Sequence, residues 1–279
     1  MEKFSYRELC RRLTPLYGER EARAVARLAL ESEFGITMED IVMGADMQLP
    51  TEATERLSNR LLAGEPVQYV VGRTEFVGRW FSVSPSVLIP RPETAELVTL
   101  VTVEAMQCRK PCRILDIGTG SGCIAVSLAL DVDDSVVTAI DISPDAIAVA
   151  QKNADALGAK VEFSCADILH TAPSVSSFDI IVSNPPYICN SEKQTMEKNV
   201  VEYEPHQALF VDDDDAMLFY RAISRYAAVA LAIGGSLWFE INERFGSEVV
   251  KCIADAGLAD AEIMNDEYGK ERFVKAWKR

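Results

Sequence analysis

The four residues Asn184-Pro185-Pro186-Tyr187 carry the strongest chemical signal in this sequence. They follow the apolar run 178–183, which is typical of a buried parallel strand. At the carboxyl end of such a strand, the Asn184 side-chain oxygen and the Pro185 carbonyl are two acceptors that proline holds at a fixed spacing. Two adjacent acceptors match one planar NH2 group, and the Tyr187 ring offers a flat wall beside it. The four residues therefore predict a site for an amide or an aromatic amine.

A glycine-rich turn upstream predicts the ligand that reaches that nitrogen. Residues 112–117 indicate a strand that runs into Gly118-Thr119-Gly120-Ser121-Gly122, and a helical segment follows. Strand, glycine turn and helix bring the backbone close to a nucleotide-like ligand. The next predicted strand ends at Asp141, whose carboxylate can accept hydrogen bonds from both hydroxyls of a ribose. A dinucleotide fingerprint needs a small third residue where Cys123 stands, so a nicotinamide oxidoreductase is disfavoured.

With these motifs the sequence resembles the HemK/PrmC family of peptide chain release factor glutamine methyltransferases. The matching segments keep the family's order along most of the chain: residues 64–69 (GEPVQY), 88–94 (LIPRPET), 118–122 (GTGSG), 184–188 (NPPYI) and 203–205 (YEP). The first two separate this family from nucleic-acid amine methyltransferases, which share only the glycine turn and an Asn-Pro-Pro-Tyr-like motif. A non-catalytic module that merely kept the fold is expected to have lost the Asn or a glycine, and all are present.

The resemblance implies a cofactor, a substrate and the residues that hold them. The cofactor is S-adenosylmethionine, and the methyl acceptor is the glutamine of the Gly-Gly-Gln loop in class I release factors. Asp167 and Ile168 are implied to lie against the adenine, although some relatives carry an aromatic residue after that Asp. We assign to the cofactor Gly118, Thr119, Gly120, Ser121, Gly122, Asp141, Asp167, Ile168 and Asn184; to the substrate Asn184, Pro185, Pro186 and Tyr187; and to catalysis Asn184, Pro185 and Tyr187.

Several side chains near these motifs have more than one interpretation. Asp116 either holds the amino group of the cofactor or only shapes the glycine turn. An Arg between two prolines has little freedom, so Arg91 could be aimed at a ligand, and the same question applies to Glu93 and Thr94. Glu204 either lines the entrance of the site or is a solvated loop acid.

Alternating strand and helix patterns predict the fold class from residue 112 onward. The predicted strands are 112–117, 136–141, 160–164, 178–183, 236–241, 260–265 and 272–277, and the predicted helices are 122–130, 144–157, 214–232 and 246–256. This order indicates an α/β protein with a doubly wound sheet. The resemblance implies the class I methyltransferase sheet of seven strands with the last one antiparallel. Gly234-Gly235 is expected to end the helix 214–232.

The periodicity before residue 73 is helical, which predicts a separate small domain. We expect a helical domain over 1–73, a hairpin linker over 74–92 that turns at Gly78-Arg79, and a catalytic domain over 93–279. The resemblance implies that the helical domain binds the release factor, because one side chain offers little binding surface.

Charge and composition constrain the partners. The formal net charge is −15, of which residues 1–73 carry −2 and residues 74–279 carry −13. A catalytic half this acidic repels a phosphate backbone, so we expect no direct nucleic-acid partner, and an adenine-specific nucleic-acid amine methyltransferase is the less favoured alternative.

The remaining composition is typical of a cytoplasmic enzyme. No run of 18 apolar residues predicts a membrane span, and the first residues lack the apolar core of a signal peptide. The seven cysteines form no C-x-x-C pair, so we expect free thiols and no metal site. The acids of 212–215 precede a predicted helix, where the helix dipole favours them without any metal.

Overall fold

The computed structural model describes residues 5–45, 49–173, 175 and 178–279. Its helices are α1 (Tyr6–Phe34), α2 (Met38–Val42), α3 (Thr51–Leu62), α4 (Val67–Val71), α5 (Pro92–Ala105), α6 (Cys123–Asp131), α7 (Pro144–Leu157), α8 (Lys198–Tyr203), α9 (His206–Leu209), α10 (Leu218–Ala230) and α11 (Gly246–Asp255). Its strands are β1 (Arg73–Phe76), β2 (Arg79–Ser82), β3 (Cys112–Ile117), β4 (Ser135–Asp141), β5 (Val161–Cys165), β6 (Phe178–Ser183), β7 (Ile188–Cys189), β8 (Phe210–Val211), β9 (Leu231–Glu240), β10 (Ala259–Asn265) and β11 (Glu271–Trp277).

The chain forms two compact units. The first comprises Met1–Arg73 together with Glu197–Tyr203, and the second comprises Thr74–Met196 and Glu204–Arg279. The predicted domains were continuous in sequence, so the placement of α8 in the first unit differs from the prediction. Within that unit the Tyr203 hydroxyl donates a hydrogen bond to the Ala63 carbonyl at 2.9 Å. The predicted linker 74–92 belongs to the second unit.

The first unit is a helical bundle with its own apolar core. Leu9, Leu13, Leu30 and Leu61 are fully buried and pack against one another from α1 and α3. The apolar residues recur at the helical spacing that the sequence predicts, and burying them stabilises helices that are only marginal alone.

The second unit is built on a seven-stranded sheet in the order β10-β11-β9-β6-β3-β4-β5. Strands β9, β6, β3, β4 and β5 run parallel, whereas β11 pairs antiparallel with both β9 and β10. The predicted α/β sheet with an antiparallel last strand is therefore confirmed.

Both faces of this sheet are covered, as its strand sequences require. On β3, Ile114 belongs to the core beneath α5, α6 and α7, whereas the next residue, Leu115, belongs to the core beneath α10 and α11. Successive strand side chains point to opposite faces, so a strand covered on both sides is apolar throughout. The ends of the parallel strands are thus fixed relative to one another, which positions the loops that follow them.

Two turn predictions were wrong in detail. Gly234-Gly235 does not end a helix: α10 ends at Ala230, and both glycines lie within β9. A Cβ on Gly235 would lie 2.8 Å from the Asp179 carbonyl oxygen, so glycine is needed there for close backbone approach. The β1–β2 hairpin turns at Val77-Gly78, because these residues have φ of 48° and 68°, the positive values that a tight hairpin turn requires.

No helix among the described residues is long and apolar enough to cross a membrane.

Candidate active site

A cavity of about 410 Å³ opens at the carboxyl ends of β3, β4 and β6 in the second unit. Loops that follow adjacent parallel strands converge at this edge of a sheet, and small-molecule sites have volumes of roughly 300–1,000 Å³. The lining includes Pro90, Arg91, Thr94, Gly118, Thr119, Gly120, Ser121, Asp141, Ile142, Asp167, Ile168, Asn184, Pro185, Pro186, Gln207, Phe219 and Ile223. Most of the residues that we predicted from sequence for the site are thus brought together.

The glycine turn packs directly against a neighbouring helix. Gly122 has φ of 78°, and a Cβ placed on it would lie 3.0 Å from the Ala150 Cβ of α7. Gly122 is the residue before α6, and it does not line the cavity itself. Its lack of a side chain lets the turn approach α7 closely, and the loop 118–121 before it forms the cavity floor.

Asp141 lies at the end of β4 and fixes the backbone around the cavity. One carboxylate oxygen accepts the Gly120 N–H at 2.9 Å, and the other accepts the Ser143 N–H at 2.9 Å. A carboxylate offers about four acceptor sites, so both oxygens keep capacity for ligand hydroxyls.

Asp116 shapes the turn from below. It is fully buried, and its Oδ2 accepts the Thr119 hydroxyl at 2.6 Å and the Ala125 N–H at 3.2 Å. Burial raises the pKa of Asp116 to about 7. It is not among the residues that line the cavity, which favours the second of the two interpretations given above.

The apolar end of the cavity combines predicted residues with residues that sequence reasoning missed. Asp167 accepts the Leu169 N–H at 2.9 Å and lies 2.7 Å from His170 Nδ1, an interaction that lowers the pKa of Asp167. Ile168 lines the same end together with Phe219 and Ile223 of α10. The two α10 residues carry no local motif, because they reach the cavity only through the packing of α10 on the sheet.

Asn184 lies at the end of β6 with its amide group oriented by a neighbour. Its Nδ2 donates to Thr94 Oγ1 at 3.2 Å, and that hydroxyl donates to Glu240 Oε2 at 2.7 Å. Since the NH2 group is used by Thr94, the Asn184 oxygen is left as an acceptor. Pro185 and Pro186 line the cavity beside it.

The Tyr187 side chain lies outside the cavity, whereas the sequence predicted it as a wall of the substrate site. It is not among the cavity-lining residues, and its hydroxyl donates to Glu240 Oε1 at 3.2 Å. Its partner Glu240 is buried at the end of β9, the strand next to β6. Burial raises the pKa of Glu240 to about 7, although hydrogen bonds from Thr94 and Tyr187 and the charge of Arg272 oppose the rise. The sequence analysis did not single out Glu240. The feature that could have pointed to it is an acidic residue directly after the apolar run 237–239.

The four side chains whose roles the sequence left open fall into two groups. Arg91 and Thr94 line the cavity, whereas Glu93 and Glu204 do not. Glu204 is 3% exposed, and its carboxylate accepts the Ile89 N–H at 3.2 Å and pairs with Arg91 at 2.5 Å. Glu204 is therefore a buried anchor for the segment before α5 rather than a solvated loop acid.

These features fit a nucleoside-containing cation such as S-adenosylmethionine. The glycine loop, the Asp141 carboxylate with spare acceptor sites and the apolar Ile168 side chain all line this cavity. Within the described residues, no group of three or more His, Cys, Asp or Glu side chains is placed to hold a metal ion. In the segment 212–215, Asp212 accepts a hydrogen bond from Asn190, Asp213 accepts from Ser191, and Asp215 pairs with Arg221.

This seven-stranded fold, with its glycine cradle and cavity, defines a class I S-adenosylmethionine-dependent methyltransferase. Residues 95–208 match the methyltransferase small domain family, and residues 6–72 match the PrmC N-terminal domain family. A methyltransferase from Pyrococcus furiosus has a similar fold, with a TM-score of 0.52, 16% sequence identity, and 82% of this chain and 99% of that chain covered.

Two relatives identify the family within this class. The release factor glutamine methyltransferase of Bacteroides thetaiotaomicron is 44% identical over 269 residues, which cover 95% of each chain. That of Koribacter versatilis is 49% identical over 211 residues, which cover 76% of this chain and 74% of the relative. The chain belongs to the release factor glutamine methyltransferase family.

Proposed function

We propose that this protein transfers a methyl group from S-adenosylmethionine to the side-chain amide nitrogen of the Gly-Gly-Gln glutamine in class I peptide chain release factors. The observation that carries the proposal is the orientation of Asn184, whose NH2 group is held by Thr94 and whose oxygen is left to accept from a substrate amide. Family membership supports the same reaction.

The chain activates the substrate by orienting it. An amide nitrogen is a weak nucleophile because its lone pair is delocalised into the carbonyl. In the proposed complex, the Asn184 oxygen and the Pro185 carbonyl accept the two amide hydrogens, which turns the nitrogen lone pair toward the cofactor. Orientation of this kind lowers a bimolecular barrier by roughly 7–11 kcal/mol in favourable cases.

The loop 118–121 and Asp141 would hold the cofactor. Asp141 would accept hydrogen bonds from the ribose, and Asp167 and Ile168 would lie against the adenine. When bound, S-adenosylmethionine supplies an electrophilic methyl group and its sulfur leaves as a neutral thioether. The methylated nitrogen is cationic and loses a proton readily, so no dedicated general base is required.

Incubation with methyl-labelled S-adenosylmethionine tests the reaction. We expect label on a release factor and none on the same release factor with Ala in place of the Gly-Gly-Gln glutamine. Equal labelling of both proteins would refute glutamine as the acceptor.

Substitution of Asn184 tests the orienting role. We expect Asn184→Ala to lower turnover at least about a hundredfold, because misplacement of about 1 Å has that effect, while S-adenosylmethionine affinity changes little. Asn265→Ala, at an exposed asparagine of β10, is the matched control and should leave turnover unchanged. Turnover in Asn184→Ala equal to that of the control would contradict the mechanism.

The helical unit is proposed to bind the body of the release factor. Among the described residues of this unit, the most exposed large apolar side chains are Val42, which is 81% exposed, and Met43, which is 87% exposed. Val42→Glu with Met43→Glu should raise KM for whole release factor severalfold, because charged residues are depleted at interface cores. S-adenosylmethionine affinity is the internal control, and an unchanged KM would exclude this surface from docking.

A further inference from the structure

A chain of hydrogen bonds runs behind the cavity from Tyr187 to Asn184. The Tyr187 hydroxyl donates to Glu240 Oε1 at 3.2 Å, and the Thr94 hydroxyl donates to Glu240 Oε2 at 2.7 Å. Asn184 Nδ2 then donates to Thr94 Oγ1 at 3.2 Å. Glu240 and Thr94 are only 1% and 3% exposed, so water does not replace these partners.

The direction of each bond is fixed by the carboxylate. An ionised Glu240 can only accept, so both hydroxyls must point their single hydrogen at it. The Thr94 oxygen can then offer only a lone pair to Asn184. An asparagine amide has nearly the same shape in its two flipped orientations, so shape alone does not decide which end faces Thr94. The lone pair of Thr94 decides it, because it accepts NH2 and leaves the Asn184 oxygen for the cavity.

We propose that Glu240 is a positioning residue, whose carboxylate acts through the Thr94 hydroxyl to keep the Asn184 oxygen turned toward the substrate amide. This inference rests on the proposed function, since it assigns the orientation that amide recognition requires. Glu240 is not among the cavity-lining residues and acts only through Thr94.

Protonation of Glu240 at Oε2 reverses the direction of the hydrogen bonds that join Glu240, Thr94 and Asn184. A proton on Oε2 makes the carboxyl group donate to Thr94, whose own hydrogen then points at Asn184. Asn184 must then accept this hydrogen bond through its side-chain oxygen, which turns its NH2 group toward the substrate NH2. Two hydrogen-bond donors cannot bond to each other. Turnover should therefore fall as Glu240 becomes protonated.

The surroundings of Glu240 place this change near neutral pH. Burial raises the pKa of Glu240 to about 7. The titratable or charged side chains that face the Glu240 carboxyl group come from several elements: Tyr187, Glu93 of α5, Cys123 of α6, Tyr220 of α10 and Arg272 of β11. The Tyr220 hydroxyl donates to the backbone carbonyl of Glu240 at 3.2 Å. Arg272 lowers the pKa and Glu93 raises it.

Steady-state kinetics on release factor test the proposal with matched variants. Thr94→Val keeps the shape and removes the hydroxyl, so kcat should fall at least tenfold above about pH 7, where Glu240 is ionised. Thr94→Ser keeps the hydroxyl and should stay within about threefold of wild type. Thr99→Val makes the same change at an exposed residue of α5 and should match wild type. A kcat for Thr94→Val equal to that of Thr99→Val overturns the proposal.

The pH profile separates positioning from mere packing. The acid limb of kcat should disappear in Glu240→Gln, and it should move to higher pH in Tyr187→Phe, because the ionised form loses one donor. An acid limb that is the same in wild type and Glu240→Gln would remove Glu240 from the proposal.

A readout without turnover keeps this test independent of the proposed reaction. In protein labelled with 15N-asparagine, the Asn184 amide signal is identified by its loss in Asn184→Ala. Its Nδ2 protons should exchange slowly with water in wild type and Thr99→Val, and at least tenfold faster in Thr94→Val. Equal exchange in all three overturns the inference. Slow exchange in a wild type that does not methylate release factor would instead overturn the proposed function alone.

Discussion

Replacing Gly122 with alanine should be costly for two separable reasons. The residue has φ of 78°, and a left-handed conformation costs a residue with a Cβ about 1–2 kcal/mol. The new Cβ would also lie 3.0 Å from the Ala150 Cβ and 3.2 Å from the Ala150 Cα. Overpacking of this kind typically costs about 1–3 kcal/mol. We therefore expect Gly122→Ala to lower the free energy of unfolding by about 2–5 kcal/mol.

Gly158 offers a matched control in the same unit. It ends α7 with φ of 73°, and no atom lies within 4 Å of a Cβ built on it. Gly158→Ala should therefore cost only the backbone contribution of about 1–2 kcal/mol. The difference between the two variants isolates the contact with Ala150.

Urea unfolding followed by far-ultraviolet circular dichroism measures both variants, and calorimetric titration measures their affinity for S-adenosylmethionine. Gly122→Ala should bind S-adenosylmethionine more weakly than wild type, because relief of the close contact with Ala150 shifts the loop that forms the cavity floor. Gly158→Ala should bind like wild type. If Gly122→Ala were no less stable than Gly158→Ala, the argument that the loop needs close approach to α7 would be wrong.

Two further predictions concern buried acids. The pKa of Asp116 is raised to about 7, so the folded state holds its proton more tightly than the unfolded state, and this stabilisation is lost as pH rises from about 4 through about 7. Asp116 should therefore make the free energy of unfolding fall by up to about 1.4 kcal/mol per pH unit in this range, and Asp116→Asn should remove that dependence. Urea unfolding between pH 5 and 8 measures it, and an unchanged pH dependence would contradict the prediction. Glu204→Ala should lower the free energy of unfolding by about 1–3 kcal/mol, because it leaves the buried Ile89 N–H unpaired. The exposed Glu202→Ala is its control, and equal effects would show that Glu204 is no anchor.

The sheet could be predicted because its strands are locally unambiguous. Strands 112–117 and 178–183 have the predicted bounds, since each is a short apolar run closed by Gly118 or Asn184. Gly234-Gly235 misled the prediction because a glycine pair marks either a helix end or a close backbone contact. The contact partner of Gly235 at Asp179 is distant in sequence and leaves no local pattern.

The candidate site was predictable to the extent that its residues lie in continuous motifs. The loop 118–121, Asp141 and Asn184 line or frame the cavity as expected. Glu240 escaped prediction because its role depends on Thr94, which is 146 positions away in the chain. Tyr187 was predicted as a stacking wall, and its hydroxyl proved to be turned toward Glu240. Such long-range contacts arise only from the folded topology.

The antiparallel strand β11 has a consequence for the order in which the protein forms. Strand β10 joins the sheet only through β11, and β11 also covers the edge of β9. During synthesis, the edge beside Leu237-Trp238-Phe239 therefore stays open until residues 271–277 have left the ribosome. Unpaired strand edges of this kind invite association with other chains. Closure of the sheet during synthesis thus depends on β11, and interrupted synthesis should yield aggregation-prone fragments even when every residue of the cavity has been made.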